Sequence, residues 1–170
     1  DRADFLLAVE AQQPAQPGRS RRVLSLGLSL GHTESTNELS MATNPLALAA
    51  VDDVAATTAI SRIMAEEAKA IGINWSFTPV IDINAAFRSP IVATRGFGSD
   101  VARIERHALA QIAAFQAEGV AATVKHWPGE GHDDRDQHLV TTINPLSLEA
   151  WEATHGRLYR AAIAQGVMAV

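Results

Sequence analysis

Lys69-Ala70-Ile71-Gly72-Ile73, Ala117-Glu118-Gly119-Val120 and Ala164-Gln165-Gly166-Val167 decide the fold. Each run closes a helical stretch on a glycine and opens an apolar, β-branched one at once. The glycines stand 47 residues apart. Each suits the position just past a helix end, where positive φ is cheap only without a side chain. A regular helix–glycine–strand beat is the mark of stacked βα units with parallel strands.

Helices are predicted on either side of this beat. Residues 53–71 carry Ile60, Ile63, Met64, Ala68 and Ile71 as a packing stripe. Asp100 caps a helix over 101–118, with Ile104, Ala108, Ile112 and Phe115 at helical spacing. Ser147 caps 148–165, with Leu148, Trp151, Leu158 and Ala162 on one face. Strands are predicted at 5–10, 74–82, 121–126 and 167–170, apolar enough to be covered on both faces. Long polar loops follow at 11–45, 83–99 and 127–146, and loops of that length are usually functional. The expected fold is α/β, a partial (β/α)8 TIM-type barrel of about four parallel βα units, with residues 1–170 as one partial barrel domain. Both ends look cut inside strand-like runs.

Composition narrows the function. Of the 170 residues, 47% are hydrophobic and 19% charged, a globular balance, and the net charge is −5. With a pI near 5.6, and with Arg19, Arg21 and Arg22 as the only basic cluster, no nucleic-acid surface is offered. The absence of cysteine excludes disulfides and thiolate metal sites. No apolar run is long enough for a membrane span. The compartment stays open, with the cytoplasm as the default.

Chemistry concentrates in Lys125-His126-Trp127-Pro128-Gly129-Glu130-Gly131-His132-Asp133-Asp134-Arg135-Asp136-Gln137-His138, directly after a strand. Proline and glycine allow a tight, shaped loop. Asp136 and His138 are two apart, so an extended backbone directs both side chains to one side. A carboxylate beside an imidazole orients it and supports its charged form, which general acid/base work near neutral pH requires. Two other readings compete: a solvated polar loop, and a metal site from His126, His132, His138 and an aspartate, although no compact ligand pair lies on a helix. His32, His107 and His155 have no motif around them and read as surface or helix-face residues.

The loop resembles the signature of glycoside hydrolase family 3, in its β-N-acetylhexosaminidase branch: Lys-His-Phe-Pro-Gly-x-Gly, four residues, then Asp-x-His. Every element is in register, with Trp127 for Phe. Phe77-Thr78-Pro79-Val80-Ile81-Asp82-Ile83-Asn84 is similar to a second family run. Arg88-Ser89-Pro90-Ile91 through Arg95-Gly96-Phe97-Gly98-Ser99-Asp100 is similar to a third. The resemblance covers residues 46–170. It implies a retaining glycosidase on a (β/α)8 barrel that releases terminal β-linked N-acetylglucosamine from glycans or peptidoglycan fragments. By the same resemblance His138 is the general acid/base, Asp136 its partner, and Arg95, Lys125 and His126 bind sugar hydroxyls. Asp82 is expected as a partner for Lys125 or Arg95, and Arg95 alternatively pairs with a loop carboxylate. No metal and no organic cofactor is implied.

The sequence departs from the family in two places. The family's nucleophilic aspartate follows a later strand, beyond Val170, and no aspartate here takes its role. Glu10-Ala11-Gln12-Gln13-Pro14 replaces an Asp-x-Glu-Gly-Gly-type run: Glu10 stands where a sugar-binding acid belongs, the Gly-Gly is missing, and loop 11–45 is expected to shape the subsite differently. Half a barrel leaves open sheet edges, so the 170 residues alone are expected to be inactive and poorly stable. Three alternatives remain open: a β-glucosidase of the same family, a metal-dependent hydrolase and a non-catalytic sugar-binding fragment. A histidine acid/base, lacking a fixed negative charge, also admits phosphate as acceptor.

Overall fold

The computed structural model describes residues 44–170. The strand 5–10, Glu10, the arginine cluster, His32 and nearly all of loop 11–45 lie outside the described residues. From Asn44 the chain forms α1 (Pro45–Val51), α2 (Val54–Ala70), β1 (Trp75–Ser76), a 3-10 turn (Ala93–Arg95), α3 (Val101–Ala117), β2 (Ala121–Ala122), α4 (Leu148–Ala153) and α5 (His155–Ala164).

β1 and β2 pair in parallel, Trp75 with Ala121 and Ser76 with Ala122. Further parallel bridges join Val80 to Lys125 and Thr123 to Ala169. Three extended passes therefore lie side by side, with 120–125 in the middle. Only two short regular strands appear where three longer ones are predicted among the described residues. Beyond the two short strands the pairing continues as isolated bridges, with Ile81 N–H donating to Lys125 O (3.0 Å) and Val124 N–H to Ala169 O (3.1 Å).

The glycine reading holds: Gly72, Gly119 and Gly166 have φ of 89°, 83° and 84°. Both predicted caps form, with Asp100 accepting from Arg103 N and Ser147 from Ala150 N. The α3 stripe is fully buried, with Ile104, Ile112 and Phe115 at 0% exposure. Each such side chain contributes about 1.5–3 kcal/mol against leaving it in water. The core joins this stripe to Met64, Val120, Val124 and Leu158.

Three expectations are corrected. Of the predicted α2 stripe, Met64 and Ala68 are buried and Ile60 packs partly buried against the core, while the small residues Thr57, Ser61 and Ala65 complete the packed face. Ile63 lies off that face and Ile71 past the helix end, and both are exposed. The helix expected over 148–165 is two helices broken at Thr154. The Thr154 hydroxyl bonds back to Ala150 O at 2.6 Å, a contact that bends helices. Gly156 lets the turn approach the Trp151 ring, which an added Cβ would meet at 2.9 Å. Leu148, at the mouth of α4, is exposed.

His107 and His155 are not surface residues, for both are completely buried. His107 Nδ1 meets the Thr57 hydroxyl at 2.8 Å and its Nε2 meets Asp52 at 3.1 Å. Asp52 ends α1 in a left-handed conformation. It also takes Arg106 Nη2 at 2.6 Å, and these partners, Arg106 foremost, pull its carboxyl down to about 2. This knot fixes the α1–α2 corner against α3.

Candidate active site

The polar residues gather where the parallel passes end. Asp82 follows Ile81, and Lys125-His126 follow Val124. Asp82 is fully buried. Its carboxylate accepts the His126 backbone N–H (3.1 and 3.2 Å), the His126 Nδ1 side (2.6 Å) and the Glu130 backbone N–H (2.8 Å). Three donors converge on one anion, the arrangement that makes a buried charge tolerable. The partner expected for Asp82 was Lys125 or Arg95; its hydrogen-bond partners are instead His126 and the loop backbone, and Lys125 feels it only through space.

The loop after His126 is clamped residue by residue. Trp151 Nε1 donates to Pro128 O (2.6 Å), and Asn144 Nδ2 donates to Gly129 O (3.2 Å). Ala85 and Ala86 donate their N–H groups to Gly131 O at 3.0 and 2.7 Å. Gly131 is required by this approach, since its φ is 100° and a Cβ would stand 2.1 Å from Ile83 O. Trp127 stacks edge-on against Trp151 and Tyr159.

Lys125 is half-buried beside this floor, its ammonium 5.9 Å from the Phe77 ring centre. Burial first, and then the charge of Arg95, push it down to about 8, although Asp82 and Glu130 pull the other way. Arg95 Nη1 donates to Ile91 O at 2.8 Å, and its Nε is buried without a hydrogen-bond partner. The loop carboxylate suggested for Arg95 is not within ion-pair distance among the described residues. Burial raises the Glu130 carboxyl, with His126 opposing. Beneath the loop, burial pushes His155 down to about 4, and also lowers His132.

His138 and Asp136 do come together. Asp136 Oδ1 accepts the His138 backbone N–H at 2.8 Å and meets the ring Nδ1 at 2.6 Å. These two contacts hold the Asp136 carboxyl below its usual range. The imidazole is otherwise open, its side chain 73% exposed, so Nε2 faces outward. The ligand set suggested at His126, His132 and His138 does not assemble. Among the described residues, the ligand-type atoms within 4.8 Å of one another belong to Asp82, His126 and Glu130. Both Asp82 oxygens are already taken there, so a cation would have to displace existing hydrogen bonds.

The comparisons decide the family. The glycosyl hydrolase family 3 N-terminal domain model matches residues 2–170. The chain belongs to glycoside hydrolase family 3. A β-N-acetylglucosaminidase/β-glucosidase of Cellulomonas fimi is 42% identical over 148 residues, 87% of this chain and 26% of that protein. A β-hexosaminidase of Stenotrophomonas maltophilia is 35% identical over 108 residues, 64% of this chain and 32% of that protein. The structure of β-glucoside phosphorylase BglX superposes with a TM-score of 0.71 at 41% identity, over 73% of this chain and 22% of that one. A family 3 β-N-acetylglucosaminidase from Paenibacillus superposes at 0.73 with 30% identity, over 78% and 26%. The chain thus spans about a quarter and a third of these two curated relatives, and 14% of a β-hexosaminidase A of Pseudoalteromonas piscicida.

Sequence reasoning named Asp136, His138, Arg95, Lys125, His126 and Asp82. It gave no role to Glu130 and Gln137, whose side chains meet at 2.7 Å. Glu130 occupies the free position of Pro-Gly-x-Gly, where the motif carries no signal.

Proposed function

We propose that this chain builds one wall of the active site of a retaining β-N-acetylglucosaminidase, as part of a (β/α)8 barrel to which it contributes about four βα units. The observation that carries the reading is the His138–Asp136 dyad, exposed on a loop beside the Asp82-anchored floor. Ring Nδ1, donating to Asp136, leaves Nε2 to handle the mobile proton. Protonated Nε2 gives its proton to the glycosidic oxygen as that bond breaks. An aspartate outside this chain takes the anomeric carbon as a glycosyl ester. Neutral Nε2 then accepts a proton from water as the water attacks and releases the ester. Arg95, Lys125 and His126 hold the sugar hydroxyls, and the 2.6 Å contact of His126 Nδ1 with Asp82 leaves its Nε2 for substrate. A histidine paired with aspartate here replaces the acid carboxyl of the usual two-carboxylate arrangement.

The test is His138→Ala in the full-length protein, on aryl β-N-acetylglucosaminides. With a poor leaving group, turnover falls about 10²–10⁴-fold, and a good leaving group partly restores the first step. Unchanged turnover defeats the assignment. The 170 residues alone are expected to be inactive. A second reading, phosphorolysis, is favoured by the 41% identity to a β-glucoside phosphorylase. Phosphate would then replace water and yield a sugar 1-phosphate, and the aryl glucoside against the aryl N-acetylglucosaminide separates the two sugar preferences.

A further inference from the structure

The dyad's own hydrogen bonds are mostly local. The Asp136 side chain turns back on His138, and its carbonyl takes the N–H groups of Leu139 and Val140. Asp133 braces the same loop from within, accepting from Arg135 and from Ile143 N. None of these contacts sets the distance from His138 to the sugar floor. Gln137 stands between the two dyad residues, and its Nε2 donates to Glu130 Oε2 at 2.7 Å. Glu130 belongs to the floor. Its N–H is held by the buried Asp82 at 2.8 Å, and the next residue, Gly131, is clamped by Ala85 and Ala86. A continuous path therefore runs from Asp82 through Glu130 and Gln137 to the dyad.

We propose that Glu130 and Gln137 are a positioning pair that fixes the height of the His138–Asp136 dyad above the sugar-binding floor. The proposal rests on the acid/base reading of His138. Neither side chain need touch the reacting atoms. Towards Gln137, Glu130 supplies only an acceptor oxygen, which an amide supplies equally; its Oε2 also lies 3.9 Å from His126 Nδ1, so Gln137→Leu is the variant that isolates the tether. Losing the pair frees the segment without unfolding the floor, so the defect falls on proton transfer rather than on sugar binding.

The experiment uses the full-length protein with Gln137→Leu, Glu130→Leu, the double variant, Glu130→Gln and His138→Ala. Each is assayed on aryl β-N-acetylglucosaminides with poor and good leaving groups. Misplacement of a catalytic group by about 1 Å costs on the order of 10²-fold, so Gln137→Leu loses roughly that factor in kcat with the poor leaving group. Its loss with the good leaving group is far smaller, and KM stays near wild type. Glu130→Gln keeps the acceptor and loses much less than Glu130→Leu. The double variant loses no more than the worse single one, as for two halves of one contact. Equal losses on both substrates, or additive ones, mean a general structural role and overturn the pair. If His138→Ala shows the leaving-group pattern and Gln137→Leu does not, the pair alone falls. If His138→Ala shows no such pattern, the acid/base reading falls and the pair with it.

Discussion

Replacing Asp82 by asparagine tests the floor at its centre. The carboxylate is completely buried and receives three donors, from His126 N, the His126 ring and Glu130 N. Asparagine keeps one acceptor oxygen and puts an NH2 group where the other stood. With the NH2 group at the Oδ1 position it faces the N–H groups of His126 and Glu130; at the Oδ2 position it faces His126 Nδ1, which takes the other tautomer and accepts. The second orientation leaves no buried N–H unpaired, and the loss is that of trading hydrogen bonds to a charged acceptor for hydrogen bonds to a neutral one, about 1.5–3 kcal/mol. The neutral amide is easier to bury than the anion, so the net loss is about 2 kcal/mol. At 1.4 kcal/mol per tenfold, that is roughly 30-fold in a local opening equilibrium. Amide hydrogen exchange in the peptide covering 124–132 reads this directly, because protection there reports the opening of this segment. The exchange rates of His126 and Glu130 should rise by about that factor in the full-length protein, and sugar affinity should fall with them. A change below about threefold would mean that Asp82 is not what holds the floor.

Lys125 gives a pH signature. Its ammonium, pushed down to about 8 by burial and Arg95, is charged below that pH and neutral above it. Apparent KM is therefore expected to rise as pH passes about 8 in wild type, and to stay flat through that range in Lys125→Arg; coincident profiles would remove the lysine from the sugar subsite. The stability effect has the opposite sign. Between about 8 and the unfolded value of 10.5 the unfolded chain binds more protons, so this group's contribution to stability grows with pH. Gly131→Ala meets both a φ of 100° and a backbone oxygen at 2.1 Å, whereas Gly72→Ala has a φ of 89° and open space. The second should cost about 1–2 kcal/mol for the left-handed backbone alone, and the first clearly more in denaturant unfolding. Equal costs would show that the approach of Gly131 to Ile83 relaxes freely.

Legibility in the sequence followed the range of the interaction. The three helix-ending glycines and the caps Asp100 and Ser147 are set within a few residues, and the structure keeps all of them. The break at Thr154 has a local cause too, but it needs the Trp151 ring against Gly156, which periodicity does not display. His107 shows a signal that could have been used. It falls on the stripe of Ile104, Ala108 and Gln111, all buried, and a histidine on such a stripe must find partners, here Thr57 and Asp52. Those partners lie about fifty residues away, beyond any window. Glu130 was silent for the same reason, since its N–H is held by Asp82, 48 residues earlier, whereas Gln137 meets Glu130 only seven residues away but at positions the motif leaves free.

The site also divides its labour along that line. Its floor comes from the ends of parallel passes, with Asp82 buried and Gly131 pinned between backbones. On the acid/base role proposed for His138, its proton carrier comes from a loop, exposed and self-bonded. A sugar ring presents nearly the same hydroxyls before and after bond cleavage, so a rigid floor serves both steps. The acid/base must meet a leaving oxygen first and an incoming water second, at positions that need not coincide. A ring held by one carboxylate and one tether has the freedom for both, while a ring locked into the floor would favour one step at the other's expense. Stiffening the loop is therefore expected to slow one of the two half-reactions selectively. Comparing accumulation of the glycosyl intermediate in wild type and in a loop-rigidified variant would show which one, and equal slowing of both would count against this division.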